Sequence, residues 1–591
     1  MANPSFNIFE NFNKSNQSQP HFQRHEILTK FVHIDGCSLV DYMPISMRCH
    51  FVKTEPDCLK FLRFLNYMEF MYCYVQQTGS RIVDWIYLSV LLVYMFYLFQ
   101  VLGQLMGKFF CPGINYIART FRMSQSFAGA TILGIANGVA GLFLAFADLS
   151  ADTVGLYTGS NSFALFSQTI VAGIVLLIRP FHVYRPLHVR DTVFLLTLTT
   201  YIEYIMNDQL VDLYESFPLF LFYAAFLVTV GIDAVLIRKL SKDIRRKLKL
   251  LEEGVGDEEL RMQLEELQNE GVMEILVKDS GSVLDIERTR SAFEGRSPND
   301  NLFRQFLESI NPIDRASWET SGSCYRFMQA VVSPFVLLFL LLCPRVDYNL
   351  PNHGWSKLLN MFTILSGPFF IITVSRMITW KFFGVSIYVY WLIPAIVVIV
   401  LVYFFSRTDT PPVYHIGFAC FSVIVSLILV RIVALEVLYV IYTVGTASQM
   451  SPTLINVTLQ AWEGGIGSLI ANVILAYRGY PRMSFAACYG GPLFSMPLVF
   501  GVRLSYKAIT SQNRIAVVHQ GPLGITIYCH LFTLLLFSMF GILFARDQGR
   551  KSIGVYRILI YPCFLLMALL EEFEVIHGHN TDHTDQRVQM D

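Results

Sequence analysis

Asn137, Gly138 and Gly141 stand in a run of small and apolar residues from Ala128 to Ala145. Gly464, Ser468 and Asn472 stand in a second such run, Ala461 to Val473, which continues through Arg478 to Ser495 and also carries Glu463. Ser468 and Asn472 are four residues apart, so on a helix they share one face with Gly464. Amide, hydroxyl and backbone oxygens exposed by glycines are the groups that replace water around a cation inside a membrane. Paired glycine-interrupted segments, one in each half of a chain, point to a transporter site near the bilayer midplane. The competing reading is close helix packing through small residues. Glu203, Asp233, Arg431 and Glu436 also fall within apolar runs; a charge costs so much in lipid that each is a functional candidate.

The elements that must position these residues are membrane helices. Apolar residues make up 54% of the chain and charged residues only 15%, too little polar surface for a water-soluble protein of this length. The formal net charge is zero, so nothing suggests nucleic acid. No P-loop, His-Glu-x-x-His or Gly-x-Ser-x-Gly appears; an ATP-driven pump or a hydrolase would have no engine, and the chain reads as a non-enzyme without a cofactor. Apolar runs long enough to cross a bilayer lie at 82–104, 126–148, 161–178, 192–206 and 217–237, then at 327–343, 358–376, 384–406, 413–445, 452–476, 484–502, 523–545 and 552–570. The run 413–445 is too long for a straight crossing and must tilt or project.

Lys and Arg fill alternate connections in the first half: Lys108, Arg119 and Arg122; then Arg179, Arg185 and Arg190; then a cluster from Arg238 to Lys249. The loops 149–160 and 207–216 hold neither. The positive-inside rule gives five crossings with the N-terminus outside. The basic cluster opens a polar region, 238–326, on the inner face, read as a topogenic charge run or as a lipid-binding regulatory loop.

Four of the eleven cysteines, Cys37, Cys49, Cys58 and Cys73, cluster in segment 1–80, beside sequons at Asn13 and Asn16. Together they suggest a disulfide-linked, glycosylated segment in an oxidising compartment; free thiols and chance sequons are the alternative. Asp148 and Asp152 suit an outer entrance or ordinary polar helix ends. His577, His579, Asp582, His583 and Asp585 suit a transition-metal site or a flexible tail.

The small-residue segments resemble the two α repeats of the cation/calcium exchanger superfamily, in its mitochondrial-type sodium/calcium (and lithium) branch. That branch reads Gly-Asn-Gly-Ala-Pro-Asp in the first repeat and Ala-Trp-Gly-Asn-Ser-Ile-Gly-Asp in the second, then Gly-Tyr-Pro-Arg-Met; here Gly479–Gly491 matches at length. Cys49 to Cys58 and Glu436-Val437 match as well. The resemblance implies an all-α polytopic fold of two inverted five-helix repeats plus extra middle helices, with 12–13 transmembrane segments. The first repeat would occupy 81–237 with its signature at 128–173, and the second 411–570 with its signature at 454–499. Segments 327–410 would be the extra helices, and 571–591 a polar tail. Inversion requires an even number of crossings, so the Pro334-containing run 327–343 is expected not to cross, leaving twelve and both termini outside.

The family's acidic positions are Gly141 and Ser468 here, its second-repeat Asn and Ser are Gly464 and Gly465, and its later Asn is Ser495. Asn137 alone of the main polar ligands is retained. Calcium takes six to eight oxygens, with carboxylates offsetting its dehydration, so this site would hold a divalent ion weakly. Glu463 is either a relocated carboxylate or a lateral partner of Arg431 or Lys381. The resemblance implies a sodium/calcium antiporter exporting calcium by alternating access; the alternative is a transport-deficient or monovalent-cation relative acting as a regulator. Calcium, sodium, lithium and membrane lipid are the implied partners. The cysteines and sequons suggest a plasma or other secretory-route membrane, and the family branch suggests the mitochondrial inner membrane.

Overall fold

The computed structural model describes residues 37, 40, 43–55, 58, 65–147, 149, 153–252, 302–313, 318–319, 322–374, 381–382, 384–448, 450, 454, 457–458, 461–511, 514–521, 523–544 and 547–572. Asn13, Asn16, Asp148, Asp152 and the C-terminal histidines lie outside them, as does the side chain of Glu463. The chain divides into two compact units, 1–90 with 443–452, and 91–442 with 453–591.

In the first unit a helix, Ile45–Thr54, is followed by short helical turns from Tyr67 to Thr78. Asn66 caps the first of these by accepting from the Glu69 N–H at 2.9 Å. Disulfides join Cys37 to Cys58 and Cys49 to Cys73. A Lys53–Glu69 ion pair at 3.1 Å and an Arg48 to Gln76 hydrogen bond at 2.9 Å complete the framework. The two cross-links tie a buried set that includes Val52, Met68, Met71 and Tyr72, as disulfides do in small units.

Among the described residues thirteen long helices follow one another: α1 (Arg81–Thr120), α2 (125–147), α3 (Thr153–Ile178), α4 (Arg185–Asn207), α5 (Leu213–Glu252), α6 (Ser323–Leu342), α7 (Lys357–Val374), α8 (Ile387–Phe405), α9 (His415–Ala447), α10 (Ala461–Tyr477), α11 (Pro481–Thr510), α12 (Gly524–Phe544) and α13 (Lys551–Glu572). Within the described residues each apolar run read from the sequence overlaps one of them. Helix α5 does not stop where its apolar run ends at 237: it carries the basic cluster onward as helix to Glu252. Helix α9, with 33 residues, is about 50 Å long at 1.5 Å per residue.

Local chemistry accounts for several boundaries. A π-helical turn, Met106–Phe110, precedes Pro112 in α1; the wider turn accommodates a ring that lacks an N–H and would clash with the preceding carbonyls. Similar turns interrupt α2 at Gly129–Leu133 and α3 at Ser167–Val171. Gly479, at φ 95°, turns the chain between α10 and α11 in a conformation that suits glycine. Across this hairpin the Ser484 hydroxyl donates to the Asn472 carbonyl at 2.9 Å.

Helices α2 and α11 run parallel. Gly129 faces Met483 and Ala486, Gly134 faces Gly490, Gly138 faces Gly491 and Phe494, and Gly141 faces Ser495 and Val499. Because α10 folds back on α11, α2 and α10 run antiparallel. Two small β ladders show the same inversion. Phe181–His182, between α3 and α4, pairs with Gln548–Gly549, between α12 and α13. Leu210–Asp212, between α4 and α5, pairs with Ile515–Val517, between α11 and α12. Each loop thus meets the non-equivalent loop of the other repeat, as a two-fold axis in the membrane plane requires.

Helix α6 is where the parity of the crossings between the repeats is decided. This is a full 20-residue helix, so the run 327–343 is not too short to cross. Yet Lys108 donates to the carbonyl of Pro312, before α6, at 3.0 Å. Arg478 reaches both Gly107 O at 2.7 Å and Asp347, after α6, at 3.1 Å. Pro312 and Asp347 therefore both lie close to residues 107–108 of α1. Tyr97 and Phe109 of α1 meet Phe335 and Phe339 respectively, so α6 runs beside α1 in the same direction.

Candidate cation site between the repeats

The glycines of α2 are spacers set by backbone contact. A Cβ at Gly129 would overlap Met483 O, and one at Gly134 would stand 2.8 Å from the Gly490 backbone. Gly138 is closed in the same way by Gly491 O and Phe494, both 2.8 Å away. Gly141 is different: a methyl group placed there would have Ser495 Cβ and Val499 Cγ2 as its nearest neighbours, each 3.9 Å away. The position that the resemblance aligns with the family's acid is thus empty of side chain but not filled by another.

The second repeat is not the mirror of this. Gly465 meets the Phe166 ring, which a Cβ there would overlap, as Gly138 meets Phe494. One residue earlier the symmetry breaks. Asn137 packs against Gly491, with 3.4 Å between the amide's Cβ and a glycine Cβ position, whereas Gly464 packs under the Phe163 ring at 3.4 Å. A polar side chain faces a small one in one half; nothing faces an aromatic ring in the other.

Ser468 and Asn472 are both buried, and the Asn472 amide donates to the Ser468 hydroxyl at 3.0 Å. Asn472 Oδ1 and Asn137 Nδ2 are buried without a hydrogen-bond partner, as are Asn161 Oδ1 and Ser162 Oγ on α3. Buried polar atoms are normally paired, so these orphans are the places where an ion or water would repay its entry. Ser495 is buried beside Gly138 and Gly141. Among the described residues no group of three or more His, Cys, Asp or Glu side chains could hold a metal.

The other charged candidates are dispersed. Glu203 accepts from the Tyr157 hydroxyl and, at 3.2 Å, from Gln520. Asp233 pairs with Arg190 at 2.6 Å, and Arg190 also holds the buried Asp191 at 2.7 Å; the candidate carboxylate serves an ion-paired triad. Glu436 is buried in α9, and Arg431 stands half-buried five residues earlier. Lys381 lies exposed in the hairpin between α7 and α8.

Two features were not singled out in the sequence. Phe163 and Phe166 look like ordinary core aromatics until the glycines they cover are known. Arg557 stands within the apolar run 552–570 and carries the same intramembrane-charge signal as Glu203; it is 1% exposed, with partners on three other helices.

A bundle of apolar helices in two inverted, interdigitated repeats, with its polar atoms at the crossing, defines a polytopic membrane transporter rather than an enzyme. The sodium/calcium exchanger protein family matches residues 91–231 and 418–570, the same two blocks as α1–α5 and α9–α13, and the chain belongs to that family. The mitochondrial sodium/calcium exchanger protein of Mus musculus is 28% identical over 92% of this chain and 90% of its own length. That of Homo sapiens is 27% identical over the same shares. The putative sodium/calcium exchanger 6 of Caenorhabditis elegans is 24% identical over 88% of this chain and 87% of its own. The solved sodium-calcium exchanger NCX_Mj aligns at a TM-score of 0.35 and 12% identity, over 81% of this chain and 98% of that one; at that score it adds no weight.

Proposed function

We propose that the chain is a secondary-active cation antiporter of sodium/calcium exchanger type, exporting calcium in exchange for sodium by alternating access. One observation carries this: the antiparallel α2 and α10, each packed through glycines on the third helix of the opposite repeat, with buried unpartnered polar atoms at Asn137 Nδ2 and Asn472 Oδ1. Rigid-body rocking of one helix group against another around such a pair exposes the amides to each side in turn. The sodium gradient supplies the driving force.

A second reading, a monovalent-cation exchanger or a transport-silent regulator, is favoured by a different observation. Gly141 and Ser468 provide no carboxylate, and Phe163 and Phe166 cover Gly464 and Gly465. A neutral oxygen site offsets less of the dehydration of a divalent ion than of a monovalent one. Flux in liposomes separates the cases. Sodium-driven calcium uptake supports calcium export; sodium/lithium or proton exchange without calcium movement supports the monovalent exchanger; no flux of any ion leaves the regulator.

The disulfides Cys37–Cys58 and Cys49–Cys73 support an N-terminal segment facing an oxidising compartment. The names of the relatives favour the mitochondrial inner membrane, and the sequons at Asn13 and Asn16 favour the secretory route. A glycosidase-sensitive shift in gel migration assigns the secretory route; its absence, with co-fractionation with inner-membrane markers, assigns mitochondria.

A further inference from the structure

Arg557 of α13 is a permanent cation sealed inside the bundle. It is 1% exposed, and no ion pair among the described residues includes it. An arginine stays charged in proteins, and burying a charge costs several kcal/mol unless the surroundings replace its water. Here the replacement consists of oxygens. Its guanidinium donates to Gln168 O at 2.9 Å, Gln168 Oε1 at 3.4 Å, the Tyr489 hydroxyl at 3.0 Å and the Ser538 hydroxyl. The Phe485 ring covers another side at 5.3 Å.

The shell is held in place from outside. Gln168 Nε2 and Ser167 Oγ both donate to Cys488 O, at 2.8 and 3.0 Å, which turns the oxygen of Gln168 toward the guanidinium. Tyr489 and Ser538 hydroxyls are 2.9 Å apart, and the His188 ring nitrogen Nε2 lies 3.3 Å from Ser538 O. Gln168 comes from the first repeat, and Tyr489, Ser538 and Arg557 come from the second. Cys488 and Gly491 are one turn apart on α11, so this oxygen cluster adjoins the level of Asn137.

We propose that Arg557 is a tethered cation that permanently occupies an oxygen-lined position between the two repeats, one that would take a free monovalent cation if the side chain were removed. Four oxygens without a carboxylate suit a singly charged ion and offset too little of the dehydration of a divalent one. The inference goes beyond the transport reading, because it concerns a second cation position and its test needs no flux.

The test is thermal unfolding of the purified full-length chain in sodium, lithium or guanidinium chloride, each against N-methylglucamine chloride at equal ionic strength. Arg557→Ala and Arg557→Gln are compared with Arg557→Lys and the unaltered chain. Removal of the guanidinium is expected to make the melting temperature rise by about 2 °C or more with small cations, by ligand linkage. The unaltered chain and Arg557→Lys, which keep a cation in place, are expected to show a smaller rise. If neither the Ala nor the Gln variant responds to small cations more than the unaltered chain does, the proposal is overturned. Arg557→Gln keeps bulk and a donor, so it serves if the Ala variant does not fold.

Discussion

The ring of Phe163 lies over Gly464, 3.4 Å from where a Cβ would stand, and so closes the half of the crossing that faces Asn137 in the other repeat. A pseudo-two-fold scaffold here carries a site with one polar and one apolar half. Removing the ring while restoring an amide should reverse this. The pair Phe163→Ala with Gly464→Asn is expected to bind sodium about tenfold more tightly, roughly 1.4 kcal/mol, by isothermal titration. Gly464→Asn alone should gain nothing, because the ring still occupies the space.

The glycine ladder between α2 and α11 is set by backbone contact, and the cost of filling it should follow the clearances. Gly129→Ala and Gly134→Ala bring a methyl into overlap with the opposing backbone and are expected to destabilise by about 1–3 kcal/mol, as overpacking does. Gly141→Ala, with 3.9 Å of clearance, should be nearly neutral. Equal melting-temperature losses for all three would refute the parallel register. Cysteines at 141 and 495 should oxidise to a disulfide, since 3.9 Å between Cβ positions is within the range of about 3.5–4.5 Å that a disulfide needs.

Pro312 and Asp347 both lie close to residues 107–108 of α1, so Asn311→Cys and Tyr348→Cys should be labelled from the same side of a sealed membrane. The assay needs the exposed Cys420, Cys529 and Cys563 changed to Ser. Labelling from opposite sides would make α6 a crossing and would break the antiparallel relation of α2 and α10.

Removing the Cys49–Cys73 bond by paired Ser substitution is expected to cost about 2–4 kcal/mol of the first unit's stability. Limited proteolysis of the segment reads this out: cleavage near residues 45–78 should accelerate. Unchanged cleavage would mean that the helix Ile45–Thr54 and the Lys53–Glu69 pair hold the unit unaided.

Much of the fold was legible in the chain because a bilayer leaves few solutions. Runs such as 217–237 and 552–570 have to be helices, since lipid satisfies no backbone polar group, and the Lys and Arg alternation fixes their direction. Inversion leads to the expectation that 327–343 does not cross, and the helix there is full length and runs beside α1. The site was less legible. Periodicity marks Gly464 as small but does not say that Phe163, far earlier in the chain, lies on it. Nor does it say that Asn137 Nδ2 and Asn472 Oδ1 go unpaired while the amide of Gln168 is taken up by Cys488 and Arg557. Such pairings are set by the interdigitation of two repeats, which no local pattern encodes.

The central claim is sodium-driven cation exchange at a site that has lost its carboxylates. Its most direct test is calcium uptake by proteoliposomes under an outward sodium gradient, with the unaltered chain and the double variant Gly141→Asp, Ser468→Asp side by side. The account predicts slow, sodium-dependent uptake by the unaltered chain and an increase of about tenfold or more when both carboxylates are restored. No calcium movement by either protein would contradict it.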